Sequence, residues 1–171
     1  MKVRPAAEAD LAAIQAIYAR EVETGTATFE LEAPDVAEMA RRWAAILALG
    51  LPYLVAEADG RVLGYGYAGP FRPRPAYRFT VEDSVYVDPE ARGRGVGKAL
   101  LGALIGGCEA MGLRRMLAVI GDSGNAGSIA LHRACGFTGE GVLPGAGWKF
   151  GRWLDVVTMH RPLGPGDAAA P

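Results

Sequence analysis

Cysteine is scarce in this sequence, with only two residues, Cys108 and Cys135, among 171. Both fall in apolar patterns with helical spacing, which predicts buried thiols in a reducing compartment. The same placement argues against a disulfide framework and against a pair of metal ligands. We therefore expect neither a structural disulfide nor a bound metal.

An excess of either charge is also absent. The 18 Lys and Arg residues nearly balance the 19 Asp and Glu residues, and the formal net charge is −1 at pH 7. A broad basic face for nucleic acid is therefore not expected, although local arginine clusters are compatible with this total.

Long hydrophobic runs are missing as well, because no apolar segment approaches the length of a membrane span. Residues 1–5 lead directly into a predicted strand and helix, which is not the pattern of a signal peptide. We therefore predict a cytoplasmic protein with no membrane and no nucleic acid among its partners.

The length and composition suit one globular domain. Half of the 171 residues are hydrophobic and 22% are charged, which is enough for a sizeable core. Internal repeats and linkers are not evident. We predict a single domain over residues 1–163 and a flexible tail over residues 164–171, where Gly, Pro and Ala follow no pattern.

The apolar periodicity predicts an α+β domain with a mixed sheet. Gly64 and Gly66 are expected to let another backbone approach one strand closely. The predicted elements, in order, are a strand at 2–4, helices at 11–22 and 35–49, a hairpin at 52–68, a strand at 78–87, a helix at 96–111, a strand at 115–120 and a helix at 126–135. A strand then begins at Phe137, residues 142–147 form a loop, and residues 148–159 form one last strand with a bulged start.

Residues 84–98 are the most informative stretch. A short strand stops at Asp88-Pro89, and glycines then stand at alternate positions before a helix begins. Such a helix N-terminus binds anions, because its first N–H groups lack intrahelical partners and its dipole favours negative charge. Arg92, Arg94 and Lys98 add positive charge. The stretch therefore predicts a pyrophosphate site at residues 92–98, the alternative being an ordinary surface turn with solvated arginines.

The glycine spacing G-x-G-x-G matches neither the dinucleotide fingerprint nor the P-loop. Residues 92–97 instead resemble the Arg/Gln-x-x-Gly-x-Gly/Ala motif of the GCN5-related N-acetyltransferase (GNAT) superfamily, in which this turn binds the pyrophosphate of acetyl-CoA. The order of elements is similar over nearly the whole chain. The resemblance implies the GNAT fold: a mixed, mostly antiparallel central sheet flanked by helices, with a splayed strand pair that holds the cofactor.

Residues 77–87, 123–137 and 149–156 resemble a narrower branch, the phosphinothricin N-acetyltransferases and the related enzymes for methionine sulfoximine and methionine sulfone. This resemblance implies acetyl-CoA as co-substrate, a small amino-acid-like amine as acceptor, direct transfer in a ternary complex, and a homodimer. Two alternatives stay open: a GNAT enzyme for another small amine or antibiotic, and a non-catalytic CoA-binding module.

The resemblance also implies the cofactor contacts. Backbone groups of the strand before the glycine turn would pair with the pantetheine arm, and the turn would hold the pyrophosphate. Asn125 would reach the pantetheine, and it also suits a helix N-cap, a role compatible with the first. The residues so assigned are Val85, Tyr86, Val87, Arg92, Gly93, Arg94, Gly95, Val96, Gly97, Lys98, Asn125 and Ser128.

Two residues are predicted to be catalytic. Glu82, at the start of the cofactor strand, is the expected general base if partial burial raises its pKa; the alternative is a structural carboxylate paired with Arg78 or another arginine. His132 stands four residues before Gly136, where many GNAT enzymes carry a Tyr that protonates the departing thiolate. His132 is therefore the expected acid, or alternatively a structural helix histidine.

The acceptor is expected to meet a proline-stiffened loop that carries two arginines, because Arg binds carboxylate or phosphinate groups bidentately. The alternative is solvated surface arginines. Arg74 departs from the branch pattern, which leaves the preferred amine open. Trp148, Phe150 and Trp153 are predicted to be core or dimer contacts. The predicted acceptor-binding residues are Phe29, Arg72, Arg74, Tyr77, Glu82, Asp83, Ser84 and Lys149.

Overall fold

A computed structural model describes residues 1–171, apart from the side chain of residue 140. Its regular elements are β1 (Lys2–Pro5), α1 (Leu11–Thr24), α2 (Val36–Ala48), β2 (Tyr53–Ala58), β3 (Arg61–Pro70), β4 (Thr80–Val87), α3 (Val96–Ala110), β5 (Arg115–Gly121), α4 (Ala126–Ala134), β6 (Thr138–Lys149) and β7 (Arg152–Pro162).

The strands form one sheet in the order β1-β2-β3-β4-β5-β7-β6. Every neighbouring pair is antiparallel except β4 and β5, which run parallel because α3 carries the chain back between them. Apolar clusters lie where α1 with α2, and separately α3 with α4, pack on this sheet. The predicted mixed, mostly antiparallel sheet flanked by helices is confirmed.

The parallel pair β4 and β5 separates partway along its length. The two strands pair from Thr80 with Arg115 to Asp83 with Ala118. β4 nevertheless continues to Val87 and β5 to Gly121. Beyond Asp83, the edge of β4 that faces β5 therefore borders a cleft instead of a neighbouring strand, which is the predicted splay.

Two glycines of β3 let α3 lie directly on the sheet. A Cβ at Gly64 would lie 2.8 Å from the Tyr86 carbonyl oxygen and 3.1 Å from Val96 Cγ1. A Cβ at Gly66 would lie 3.1 Å from Leu104 Cδ1. The expected close approach is confirmed, and it fixes the N-terminus of α3 beside the end of β4.

The C-terminal hairpin differs from the prediction. Residues 142–147 were expected to form a loop but belong to β6, and residues 148–159 were expected to form one strand but are divided by a turn. Phe150 and Gly151 make this turn, with φ of 52° and 70°. The glycines of β6 weaken its local preference for a strand. Pairing with β7 supplies the missing stabilisation, and two register shifts absorb the irregularity.

The chain end folds back on the domain. Leu163 is fully buried, and Arg114 donates a hydrogen bond to the Ala170 carbonyl at 3.0 Å. The boundary at residue 163 stays a prediction. Across the described residues, no helix combines the length and the apolar character that crossing a bilayer requires.

Candidate active site

The splay between β4 and β5 opens into a cavity of about 1050 Å³. Its walls are the end of β4, the glycine turn, the start of α3, the loop before α4 and the end of α1. Arg94 is exposed and does not line this cavity, as far as the described side chains show. All the other predicted cofactor residues do: Val85, Tyr86, Val87, Arg92, Gly93, Gly95, Val96, Gly97, Lys98, Asn125 and Ser128.

The glycine turn has the geometry of an anion site. Gly93 and Gly95 adopt φ of 74° and 78°, where a side chain would be strained. The first hydrogen bond of α3 runs from the Ala99 N–H to the Gly95 carbonyl. The N–H groups just before Ala99 therefore lack intrahelical acceptors and give this end of the cavity a positive potential. Gly97 serves packing instead, since its Cβ would lie 3.0 Å from Leu131.

Glu21 is a cavity residue that the sequence interpretation missed. Its carboxylate accepts from Arg92 at 3.0 Å and from the Ala27 N–H at 3.0 Å. It thus joins the glycine turn to the segment that follows α1. Nothing in the sequence distinguishes this glutamate from others on helix surfaces, because both partners come together only in the fold.

A smaller cavity of about 40 Å³ lies at the inner end of the cleft. It shares Ala27, Val85, Tyr86, Asn125 and Ser128 with the large cavity. Its remaining wall includes Asp83, Ser84 and His132. The structure therefore brings the predicted catalytic histidine to the inner end of the predicted cofactor cleft.

His132 is buried, and both of its ring nitrogens have partners. Nε2 lies 3.0 Å from Asp83 Oδ2, and Nδ1 lies 2.7 Å from the Ser128 carbonyl oxygen. Burial by itself lowers the pKa of His132, but the hydrogen bond and the charge of Asp83, helped by the Ser128 carbonyl, raise it overall above 6.5. The Ser128 hydroxyl lies 3.4 Å from Nδ1, and Ser128 and His132 both line the small cavity.

Glu82 lies on the opposite face of β4 from Asp83, because side chains alternate along a strand. Burial raises the pKa of Glu82, and the charge of Asp83 raises it further. Among the described side chains, Glu82 has neither a hydrogen-bond nor an ion-pair partner. Arg78, the alternative partner, lies 4.4 Å from the centroid of the Phe79 ring instead.

A cluster of tyrosines covers the sheet face on which Glu82 lies. Tyr67 pairs across the strands with Ser84. Burial raises the pKa of Tyr67, the Ser84 hydrogen bond lowers it, and the Glu82 charge raises it. Tyr67 stacks with Tyr53 and Tyr65, Tyr65 also stacks with Tyr86, and Tyr18 meets Tyr86 edge to face. The sequence interpretation missed this cluster, although the alternation of Tyr65 and Tyr67 in β3 was visible.

The other predicted acceptor residues are dispersed. Arg72 and Tyr77 are exposed, with the Arg72 guanidinium 5.1 Å from the Phe71 ring and 5.9 Å from the Tyr77 ring. Arg74 is exposed on the same loop. Lys149 is buried, and its ammonium donates hydrogen bonds to backbone carbonyls of the segment after α1. In the same segment, Phe29 packs against the backbone of Gly121 and Gly147.

Comparisons with known proteins identify the class. The sequence model of the acetyltransferase (GNAT) family matches residues 14–137, and the chain belongs to this family. Phosphinothricin N-acetyltransferase of Alcaligenes faecalis is 57% identical over 169 residues, which cover 99% of this chain and 86% of that protein. L-methionine sulfoximine/L-methionine sulfone acetyltransferase of Pseudomonas paraeruginosa is 46% identical over 164 residues, 95% of each chain.

A solved structure agrees with these relatives. The crystal structure of a GNAT superfamily phosphinothricin acetyltransferase from Sinorhizobium meliloti in complex with acetyl-CoA superposes with a TM-score of 0.96 and 52% identity, over 99% of this chain and 92% of that one. The predicted GNAT fold, the predicted branch and the acyltransferase class are confirmed.

We expect the pKa of His132 to lie above 6.5 and to fall in Asp83→Asn, because the amide removes the charge that opposes the effect of burial. NMR titration of the imidazole resonances from about pH 5 to about pH 9 measures it. His160→Gln, which removes the second of the two histidines, assigns the signals.

The same pair sets a pH dependence of stability. Because folding raises the pKa of His132, its stabilising contribution is complete below pH 6.5 and is lost as the pH rises through the folded pKa. Urea unfolding should show this decline in the wild type and less of it in Asp83→Asn. A His132 pKa that Asp83→Asn leaves unchanged would contradict the pairing.

Proposed function

We propose that this protein transfers the acetyl group of acetyl-CoA to the amine of a small amino-acid-like substrate of the phosphinothricin, methionine sulfoximine or methionine sulfone type. One observation carries the proposal: two cavities that share wall residues join a glycine-lined, positive helix N-terminus to the Asp83–His132 pair, and Glu82 is the neighbour of Asp83 on the same strand. The names of the relatives support the same substrate class.

The residues present fit acetyl-CoA. The free N–H groups of the glycine turn, with Arg92 and Lys98, would hold the pyrophosphate. The open edge of β4 at Val85–Val87 would pair with the pantetheine amides as a neighbouring strand would, and Asn125 would add a side-chain contact. When bound, acetyl-CoA supplies the thioester that acylates the amine.

Glu82 serves as the general base. Its carboxylate accepts a proton from the ammonium form of the acceptor, directly or through a water, so that the amine becomes nucleophilic. Its raised pKa, caused by burial and then by Asp83, makes it a stronger base than an exposed glutamate. None of the described side chains forms a hydrogen bond with its carboxylate oxygens, so both oxygens stay available to the substrate amine.

His132 serves as the acid through Ser128. Both ring nitrogens are engaged, and the Ser128 hydroxyl lies 3.4 Å from Nδ1 on a residue that lines both cavities. This hydroxyl would donate the proton that the departing thiolate needs, and the imidazolium would replace it from Nδ1. Asp83 keeps the ring protonated and oriented at Nε2.

The arginine loop favours an anionic acceptor. Within the described structure, neither Arg72 nor Arg74 forms an ion pair, so both guanidinium groups are available to a carboxylate or phosphinate. A polyamine would instead call for acidic groups on this loop. The loop leads directly into β4, so it lies on the chain just before Glu82.

We also propose that the protein is a cytoplasmic homodimer. The β6–β7 hairpin exposes an apolar patch, with Val142, Leu143, Trp148, Phe150 and Trp153 between 54% and 64% exposed. β6 also forms an edge of the sheet. A second copy covering both features would remove apolar surface and an open edge from water.

The free thiols of Cys108 and Cys135 suit a reducing compartment.

The substrate class is tested by acetyl-CoA turnover with phosphinothricin, methionine sulfoximine, methionine sulfone and spermidine. We expect turnover of the three amino acids, each of which carries a carboxylate, and none of spermidine. Arg72→Ala should raise the KM for the amino acid about tenfold or more, because a charge-assisted hydrogen bond is lost. Turnover of spermidine alone would overturn the substrate class, and coenzyme binding without turnover of any of these amines would favour a non-catalytic module.

The base is tested with Glu82→Gln. At neutral pH, kcat should fall by about 100-fold to 10,000-fold, and it should recover as the pH rises, because the amine then loses its proton unaided. The measurement is kcat and kcat/KM from about pH 6 to about pH 10. Glu8→Gln, at an exposed position outside both cavities, is the matched control. A pH–rate profile identical to that of the wild type would remove Glu82 as base.

The dimer is tested by sedimentation of Trp153→Glu. A charge in the centre of a buried apolar patch is strongly unfavourable, so we expect the dimer to dissociate. Leu49→Glu changes an exposed apolar residue outside the patch and should leave the dimer intact. A wild-type monomer at micromolar concentration would refute the assembly.

A further inference from the structure

Residues 25–30, between α1 and α2, have neither helical nor strand structure, and the first three of them form a wall of the cleft. Gly25, Thr26 and Ala27 line the large cavity, and Ala27 also lines the small one. The backbone N–H and C=O groups of such a segment are not paired within a helix or a sheet, so other groups must form their hydrogen bonds. What holds these residues therefore decides the shape of the cleft at its inner end.

Two charged side chains hold this wall, Lys149 from far along the chain and Glu21 from the end of α1. The Lys149 ammonium donates to the carbonyls of Gly25 and Thr28, both at 2.8 Å. Glu21 accepts from the Ala27 N–H on the other side. The Lys149 bonds span 124 and 121 residues, so they form only when the β6–β7 hairpin is in place.

Burial of a lysine at this position is energetically unfavourable. Lys149 is 3% exposed, and a buried ammonium costs free energy unless its donors are satisfied. Burial lowers its pKa, against the charges of Glu21 and Glu30. The Phe150 ring lies 4.9 Å from the ammonium as a further partner. An apolar side chain would pack here at lower cost but would leave two carbonyls of the wall unsatisfied.

We propose that Lys149 is a positioning residue, which fixes residues 25–28 and thereby the wall that Gly25, Thr26 and Ala27 form in the large cavity and Ala27 in the small one. Its ammonium contacts the backbone carbonyls of Gly25 and Thr28, and Lys149 lines neither cavity. The inference rests on the proposed function only for the identity of the reactants that would occupy the two cavities. The geometry of the wall itself follows from the two hydrogen bonds.

The test compares Lys149→Met with Lys2→Met, which removes the same charge at an exposed position. In Lys149→Met, amide hydrogen exchange of residues 25–30 should accelerate about tenfold or more, with exchange elsewhere unchanged, since bonds to a charged donor are lost. The KM for acetyl-CoA should rise several-fold while Lys2→Met matches the wild type in both measurements. Calorimetric binding of acetyl-CoA gives the same comparison without turnover.

Rescue separates positioning from general stabilisation. Lys149→Cys treated with 2-bromoethylamine regains an ammonium of similar length and should regain slow exchange at residues 25–30, with treated wild type as control. Unchanged exchange there in Lys149→Met would overturn the proposal. A uniform acceleration of amide exchange across the whole chain would also overturn it. So would failure of both Lys149→Met and Lys149→Cys to fold, because either result would make Lys149 a general stabilising residue. Failure of the amine assays would leave the exchange and binding results as the decisive ones.

Discussion

The parallel pairing of β4 with β5 ends at Asp83 and Ala118, and the site depends on this ending. Had the pairing continued, the backbone of residues 84–87 would have been satisfied within the sheet and no cleft would exist. Gly64 and Gly66 let α3 lie directly on the sheet, and the first residues of this helix line the cavity. This packing therefore places at the cleft the positive helix end that an anionic coenzyme requires.

Asp83 organises the electrostatics of the inner end. Its side chain lies on the face of β4 where His132 of α4 packs, whereas Glu82, its neighbour in the sequence, lies on the opposite face. Burial raises the pKa of Glu82 and the Asp83 charge adds to this effect, whereas burial lowers the pKa of His132 and Asp83 reverses it. One buried carboxylate therefore favours a stronger base on one face of the strand and a protonated imidazole on the other.

The β6–β7 hairpin contributes to the site from far along the sequence. Lys149 bonds the wall after α1, and Arg152 forms an ion pair with Asp122 in the loop before α4. Both residues flank the turn at Phe150 and Gly151. The exposed tryptophans belong to the same hairpin, so the proposed assembly surface and the support of the cleft share one structural element.

The sequence by itself determined the elements whose cause is local. The glycine turn, the helix that follows it, the N-cap at Asn125 and the order of strands and helices up to Phe137 depend on residues within a few positions of one another. Only the tertiary structure decided the hairpin at residues 138–162, the His132–Asp83 pair, the Glu21 contacts and the Lys149 anchor. The physical reason is that each of these is stabilised by a partner elsewhere in the fold, so neither the periodicity nor the spacing of residues in the sequence predicts it.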